Sequence, residues 1–338
     1  MSGWRWLGLF WLVVLAVLGV GGGVLQYLGP PRLNDSGSAA SLPGAVAGLD
    51  PVSPPPGASA KAEVPPPGAG AGAGQPEALR PPTPDVKPTG DDRPKPMLAA
   101  AASFDRATSK PWVGLLLAGI GLNLTDSERA VKLLPGGVTL VVSPYAANLS
   151  QLLADARLAG HEYLVAIPME PQGYPLNDPG NHALMTTLTA EQNRAALDWV
   201  LSRIDGYVGA TSALGALRGE RFTGMAGQMD PVLATLAERG LLYVASRADA
   251  PRPPYVWSRG IDLVVDEPAA RTDIDAKLDR LERMAQDKGS AVGLVTAVRP
   301  VTVDRIAAWA SGLSGRGVAL APVSALVEPP IGKETAGQ

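Results

Sequence analysis

WVGLLLA, residues 112–118, is a near-continuous apolar run of strand length. A strand reads this way when both of its faces are buried, as in a parallel sheet covered by helices. Seven similar runs follow: 138–142 (VTLVV), 163–167 (YLVAI), 207–211 (YVGAT), 241–245 (LLYVA), 261–265 (IDLVV), 290–295 (SAVGLV) and 317–321 (GVALA). Helical patterns separate them and carry their own start and stop signals. Thr125-x-x-Glu128 and Thr189-x-x-Gln192 have the spacing of capping boxes, in which the two side chains satisfy free N–H groups. Asp230-Pro231 reads as an N-cap followed by proline at the first helical position. Gly160 and Gly240 stand where helices should end in a left-handed residue. Strand–helix repetition means a parallel sheet. Seven or eight units in about 215 residues predict an irregular (β/α) barrel over residues 111–328 rather than an open doubly wound sheet.

Upstream of this pattern the composition changes twice. Residues 6–28 (WLGLFWLVVLAVLGVGGGVLQYL) carry no charged side chain and are long enough to span a hydrocarbon core of about 30 Å. Trp4, Trp6 and Tyr27 stand near the ends, where aromatic rings favour the membrane interface. A cleaved signal peptide is the competing reading, but Tyr-Leu-Gly-Pro-Pro behind the run is a poor cleavage context. Residues 1–28 are therefore expected to be an uncleaved single-pass anchor in the inner membrane. Arg5 and the amino terminus favour a cytoplasmic start, which would leave the C-terminal domain in the periplasm. Residues 29–110 hold about half of the 33 prolines, two PPP runs and the tract GAGAGAG, so a disordered linker is expected there. Residues 329–338 read as a disordered tail.

The totals narrow the chemistry. A net charge of −3 with interspersed signs gives no basic footprint, so no nucleic-acid partner is expected. Cysteine is absent, which removes disulfides, thiolate metal sites and thiol nucleophiles. His161 and His182 are the only histidines, and imidazole is the commonest ligand of a catalytic zinc. Neither lies near a strand-end serine, so no Ser-His-Asp arrangement is available. Gly119-x-Gly121 lacks the third glycine of a dinucleotide loop.

In a barrel of this kind, functional groups gather at the C-terminal strand ends. The block running through Gly160-His161-Glu162, Pro168-Met169-Glu170-Pro171, Gly173-Tyr174-Pro175 and Asn177-Asp178-Pro179-Gly180 resembles a signature of the divergent polysaccharide deacetylases. Ser143-Pro144-Tyr145, Arg221-Phe222-Thr223, Arg239-Gly240-Leu241, Ser246-Arg247, Gly289-Ser290-Ala291 and Ala321-Pro322-Val323-Ser324-Ala325-Leu326 match in the same order. The resemblance implies a deacetylase barrel of the nodulation type and a metal-dependent carbon–nitrogen hydrolase acting on N-acetylated sugars. There a divalent metal such as zinc polarises the amide and a carboxylate takes the proton of the attacking water.

The resemblance also implies a ligand set, and this sequence departs from it. Adjacent aspartates are implied where Ala118 and Gly119 stand, and histidines at Ala166, at Ala213 and within Val295–Val298. An aspartate is implied at Ala245. Alanine and glycine supply no ligand atoms, so the expectation is a catalytically degenerate member with no catalytic residues, no metal ligands and no cofactor. Glu170, Tyr174, Asn177, Asp178, Ser246, Arg247 and Asp266 are the expected glycan-binding rim, with an envelope polysaccharide, a peptidoglycan-type glycan or an envelope protein as partner. Each has a plainer reading. Tyr174–Gly180 can simply build turns, Glu170 can hold a loop, and Asp266 can make a local ion pair. His182 reads as a surface loop residue, and His161 as a partner of the carbonyls of the helix it follows. The alternative is an active deacetylase whose metal has moved to Asp266, Glu267 and His182.

Overall fold

The computed structural model describes residues 93–248 and 250–331, with Trp11 alone upstream of them. The anchor expected over 6–28 and most of the expected linker lie outside the described residues. Among the described residues no helix is long and apolar enough to cross a membrane.

Nine strands form one sheet: β1 Trp112–Ile120, β2 Val138–Val142, β3 Tyr163–Ala166, β4 Gly209–Thr211, β5 Leu242–Ala245, β6 Ser258–Gly260, β7 Leu263–Val264, β8 Ser290–Val295 and β9 Ala319–Leu320. The spatial order is β6-β5-β4-β3-β2-β1-β8-β7, and every ladder is parallel. β9 pairs Trp112 and Val113 below the point where β2 joins at Leu115. Because β6 and β7 do not pair, the expected barrel is an open half-barrel. The sequence pattern missed β6, a three-residue edge strand whose Ser-Arg-Gly has no apolar run to betray it. Its edge is closed instead by an antiparallel bridge from Ser258 to Glu328.

The helices are α1 Lys95–Ala100, α2 Leu124–Leu133, α3 Ser150–Leu158, α4 Ala190–Leu201, α5 Glu220–Thr223, α6 Ala226–Glu238, α7 Arg271–Lys288, α8 Pro300–Leu313 and α9 Val323–Leu326. The Thr189–Gln192 capping box forms at α4. Gly160 (φ 85°) and Gly240 (φ 66°) end α3 and α6 as expected. At each, the two closing bonds run from the glycine N–H and from the next residue's N–H back to the last turn. Two expected caps move. Asn123, not Thr125, caps α2, accepting from Asp126 N at 3.1 Å. Pro231 lies inside α6, which starts a turn earlier than Asp230.

Strand alternation separates two apolar layers. Leu115 and Leu117 of β1 face the helices with Val165 and Ile306, while Leu116 and Ala118 face the half-barrel interior with Leu164 and Leu294. Met97 of α1, fully buried, and Val323 and Leu326 of α9 enter the interior layer. They close its N-terminal end, so the expected linker boundary at residue 110 is too late. Buried Glu162 ties this plug together. It accepts from Thr139 Oγ1 (2.9 Å), Ser324 N (2.9 Å), Ser324 Oγ (2.5 Å) and Ala102 N (3.1 Å).

Candidate functional site

The positions where the resemblance implies metal ligands lie at the C-terminal mouth, but they do not share one environment. Ala118, Ala166 and Ala213 are almost fully buried and belong to the interior apolar layer. Gly119 is the extra residue of a bulge between β1 and β2, with φ 92°. A side chain there is strained whatever the space around it. A Cβ on Gly119 would lie 3.6 Å from Leu122 Cδ1, and one on Gly215 would lie 3.8 Å from the same atom. Leu122 thus spans the mouth between the ends of β1 and β4. Ala245 points the other way, into the helix-facing layer. The donor set for a divalent metal does not fit: methyl groups and a glycine stand where oxygen or nitrogen is needed.

The carboxylates near the mouth are committed elsewhere. Asp266 is buried and accepts from Thr296 N (2.8 Å) and Ala297 N (3.1 Å), and it pairs with Arg299 Nη1 (3.1 Å). The local ion pair is its role, and it stitches the end of β7 to the end of β8. Glu267 pairs with Arg218 (3.3 Å). His182 stacks on Trp199 of α4, ring centroids 3.6 Å apart and 8° from parallel. The ligand set of Asp266, Glu267 and His182 is therefore not brought together. Among the described residues no three His, Cys, Asp or Glu side chains gather as a metal site would require.

The expected glycan rim also divides. Glu170 is buried, accepting from Thr186 N and Oγ1 (both 2.6 Å) and pairing with Arg221 (3.1 Å), so it holds the loop after β3 in shape. Asp178 Oδ1 accepts from Gly180 N (2.8 Å), a turn-building bond. Asn177 N closes a second turn onto Gly173 O (3.0 Å). Tyr174 is exposed. None of Tyr174, Asn177 and Asp178 lines the mouth cavity of about 530 Å³, whereas Ser246 and Arg247 do. They are joined there by Gln172, Arg218, Glu220 and Asp262. Sequence reasoning missed these four because a lone polar residue in a loop, or at the start of a one-turn helix as Glu220 is, leaves no periodic signal. Ser246 donates to Arg218 O (3.1 Å) and lies 2.7 Å from Ser212 Oγ, locking the ends of β4 and β5 together.

His161 is buried, not exposed to the mouth. Its Nδ1 lies 2.8 Å from Val138 O while Nε2 has no partner. It therefore bonds a carbonyl of β2 through its ring, and closes α3 only through its backbone N–H to Ala156 O. Burial pushes its pKa down, against the opposing pull of the Val138 carbonyl.

A family model and one solved structure agree with this architecture. The family model described as "divergent polysaccharide deacetylase" matches residues 115–327. An uncharacterised protein from Agrobacterium tumefaciens C58 is 31% identical, with a TM-score of 0.63 over 69% of this chain and 95% of that one. A family 4 carbohydrate esterase from Streptomyces lividans, solved with acetate, is 18% identical (TM-score 0.41, covering 63% of this chain and 92% of that one). The catalytic domain of a peptidoglycan N-acetylglucosamine deacetylase from Eubacterium rectale is 10% identical (TM-score 0.42, covering 67% and 94%). No curated protein matches. The family model runs from Leu115 in β1 to Val327 just past α9, well over half of the chain, and on that ground the chain belongs to the divergent polysaccharide deacetylases.

Proposed function

We propose that this chain is a membrane-anchored envelope protein that has lost amide hydrolysis and acts by binding an envelope polysaccharide or peptidoglycan-type glycan. In this reading residues 6–28 hold it in the inner membrane, the Pro/Gly-rich segment spaces it from the bilayer, and the half-barrel works in the periplasm without a metal cofactor. One observation carries it: Ala118, Ala166 and Ala213 converge in one apolar layer at the place where the family resemblance implies ligands. Rebuilding a metal site there would require several polar groups to enter a packed interior. The binding half of the reading rests on the mouth cavity, where Gln172, Arg218 and Glu220 offer planar donors and acceptors suited to sugar hydroxyls.

The test uses the purified full chain. We expect it to co-sediment with insoluble peptidoglycan, to lose that association in Arg218→Ala and Gln172→Ala, and to release no acetate from N-acetylated oligosaccharides. Stoichiometric zinc, nickel or cobalt in the protein, together with acetate release, would overturn the loss of catalysis. Retention of a protein partner with no retention of glycan would overturn the glycan assignment.

A further inference from the structure

A second cavity, of about 540 Å³, lies at the opposite end of the sheet from the mouth. Trp112 opens β1 and Ser290 opens β8, and the two are ladder partners at the N-terminal ends of their strands. Both line the cavity, together with Ser109, Lys110 and Pro111 from the segment that enters β1 and Gln286 from the last turn of α7. Gly289 lines it between that helix and β8. It ends α7 at φ 84°, and a Cβ built on it would meet no atom within 4 Å, so the space above it is open.

This lining differs in kind from that of the mouth. There Arg218 is paired with Glu220 and Glu267, and Asp262 with Arg259. Here no carboxylate and no guanidinium lines the space, and among the described residues that do, Lys110 is the only charged one. Its ammonium already donates to Ser314 O and Oγ (both 3.5 Å). The Gln286 amide and the Ser109 and Ser290 hydroxyls, by contrast, have no hydrogen-bond partner among the described residues. An amide and two hydroxyls can each donate and accept.

Trp112 and Pro111 supply the apolar wall. Phe104 meets the Trp112 ring edge-on, with centroids 5.2 Å apart, and the Arg106 guanidinium lies 5.8 Å from its centroid. These contacts fix the indole in place, yet it stays only half-buried. A ligand for this site needs C–H surface for the indole and the proline, and neutral groups that both donate and accept for the amide and the hydroxyls. A pyranose ring combines them, with C–H groups on its faces and hydroxyls around its edge.

We propose that this cavity is a second carbohydrate subsite, which holds one pyranose ring against Trp112 and Pro111 with its hydroxyls on Gln286, Ser109 and Ser290. The inference rests on the glycan reading given above and extends it to the other end of the sheet. The two cavities share no lining residue, so each can be disabled without touching the other.

Calorimetric titration of the full chain with tri-N-acetylchitotriose tests the assignment. Binding should persist in the Arg218→Ala, Gln172→Ala double variant, which lacks the mouth contacts. Adding Gln286→Ala to that variant should weaken it roughly fivefold, and adding Ser109→Ala as well should abolish it. Neither residue has a partner to strand, so circular dichroism should not change. In the mouth variant the trisaccharide should also shift tryptophan emission, and Trp112→Phe should remove that shift. Binding by wild type but not by the mouth variant would overturn this subsite and leave the glycan reading standing. Binding that survives loss of Gln286 and Ser109, or an emission shift with inorganic phosphate in place of the trisaccharide, would also overturn the subsite alone. Failure of the wild-type chain to bind either the trisaccharide or peptidoglycan would overturn both.

Discussion

Glu162 accepts both the backbone N–H and the hydroxyl of Ser324, 162 residues further along the chain. With Thr139 and Ala102 on the same carboxylate, this contact fastens the N-terminal and C-terminal segments beneath the half-barrel. Both residues fall in stretches that carry the family resemblance, and their role is structural. A buried carboxylate with several donors is costly to remove because each donor is then stranded without water. Glu162→Ala is expected to destabilise the domain by roughly 3 kcal/mol. Urea denaturation checks this, and Ser324→Ala should cost less because Glu162 keeps its backbone bonds.

Asp266 invites a catalytic reading by its place at a strand end, and the structure gives it a different task. Its oxygens are taken by Thr296, Ala297 and Arg299. Asp266→Ala should lower stability by about 3 kcal/mol while leaving peptidoglycan association per folded molecule unchanged. Loss of glycan association in a variant with a wild-type urea midpoint would count against this assignment.

Restoring a carboxylate to the mouth should not restore a site. Ala118 is fully buried in the interior apolar layer, so Ala118→Asp buries an unpaired charge or a carboxylic acid without partners. The expected cost is roughly 2–5 kcal/mol. Metal analysis of Ala118→Asp combined with Gly119→Asp should find no bound zinc, and thermal unfolding should fall well below wild type.

His161 makes stability depend on pH, and the sign follows from its burial. Its pKa in the folded protein lies below the ordinary 6.5, so the unfolded chain binds the proton more tightly. Stability is full above pH 6.5 and declines as pH falls from there towards the folded pKa. His161→Asn keeps a donor for Val138 O and does not titrate. Urea midpoints measured at pH 7.5 and pH 5 should differ less in this variant than in wild type, and an unchanged difference would exclude His161 as the cause.

Much of the architecture was legible in the sequence because its signals are local. Thr189 and Gln192 meet within one helical turn, and Gly160 and Gly240 each act within the turn they end. The eight apolar runs announced buried strands, whereas β6 was silent because an edge strand of Ser-Arg-Gly buries little. The expected Asp230-Pro231 start failed for a related reason: a proline five residues into α6 costs one backbone bond, and packing of Met229, Val232 and Leu236 outweighs it. At the mouth, Ser246 and Arg247 were found by position after a strand, while Gln172 and Arg218 come from loops, and Glu220 from the one-turn helix α5, whose paths no periodicity describes.

The amino-acid sequence by itself determined the strand–helix order, the family and the lack of ligand atoms at Ala118, Gly119 and Ala213. Those facts depend on residue chemistry and on interactions within a few positions of the chain. Only the tertiary structure decided that the sheet stays open, that Ala245 faces away from Ala118, and that Asp266 is consumed by an ion pair 33 residues away. Whether a carboxylate is free for chemistry depends on which donors surround it. For Asp266, Glu170 and Glu162 those donors arrive from distant segments, through packing that no local pattern encodes.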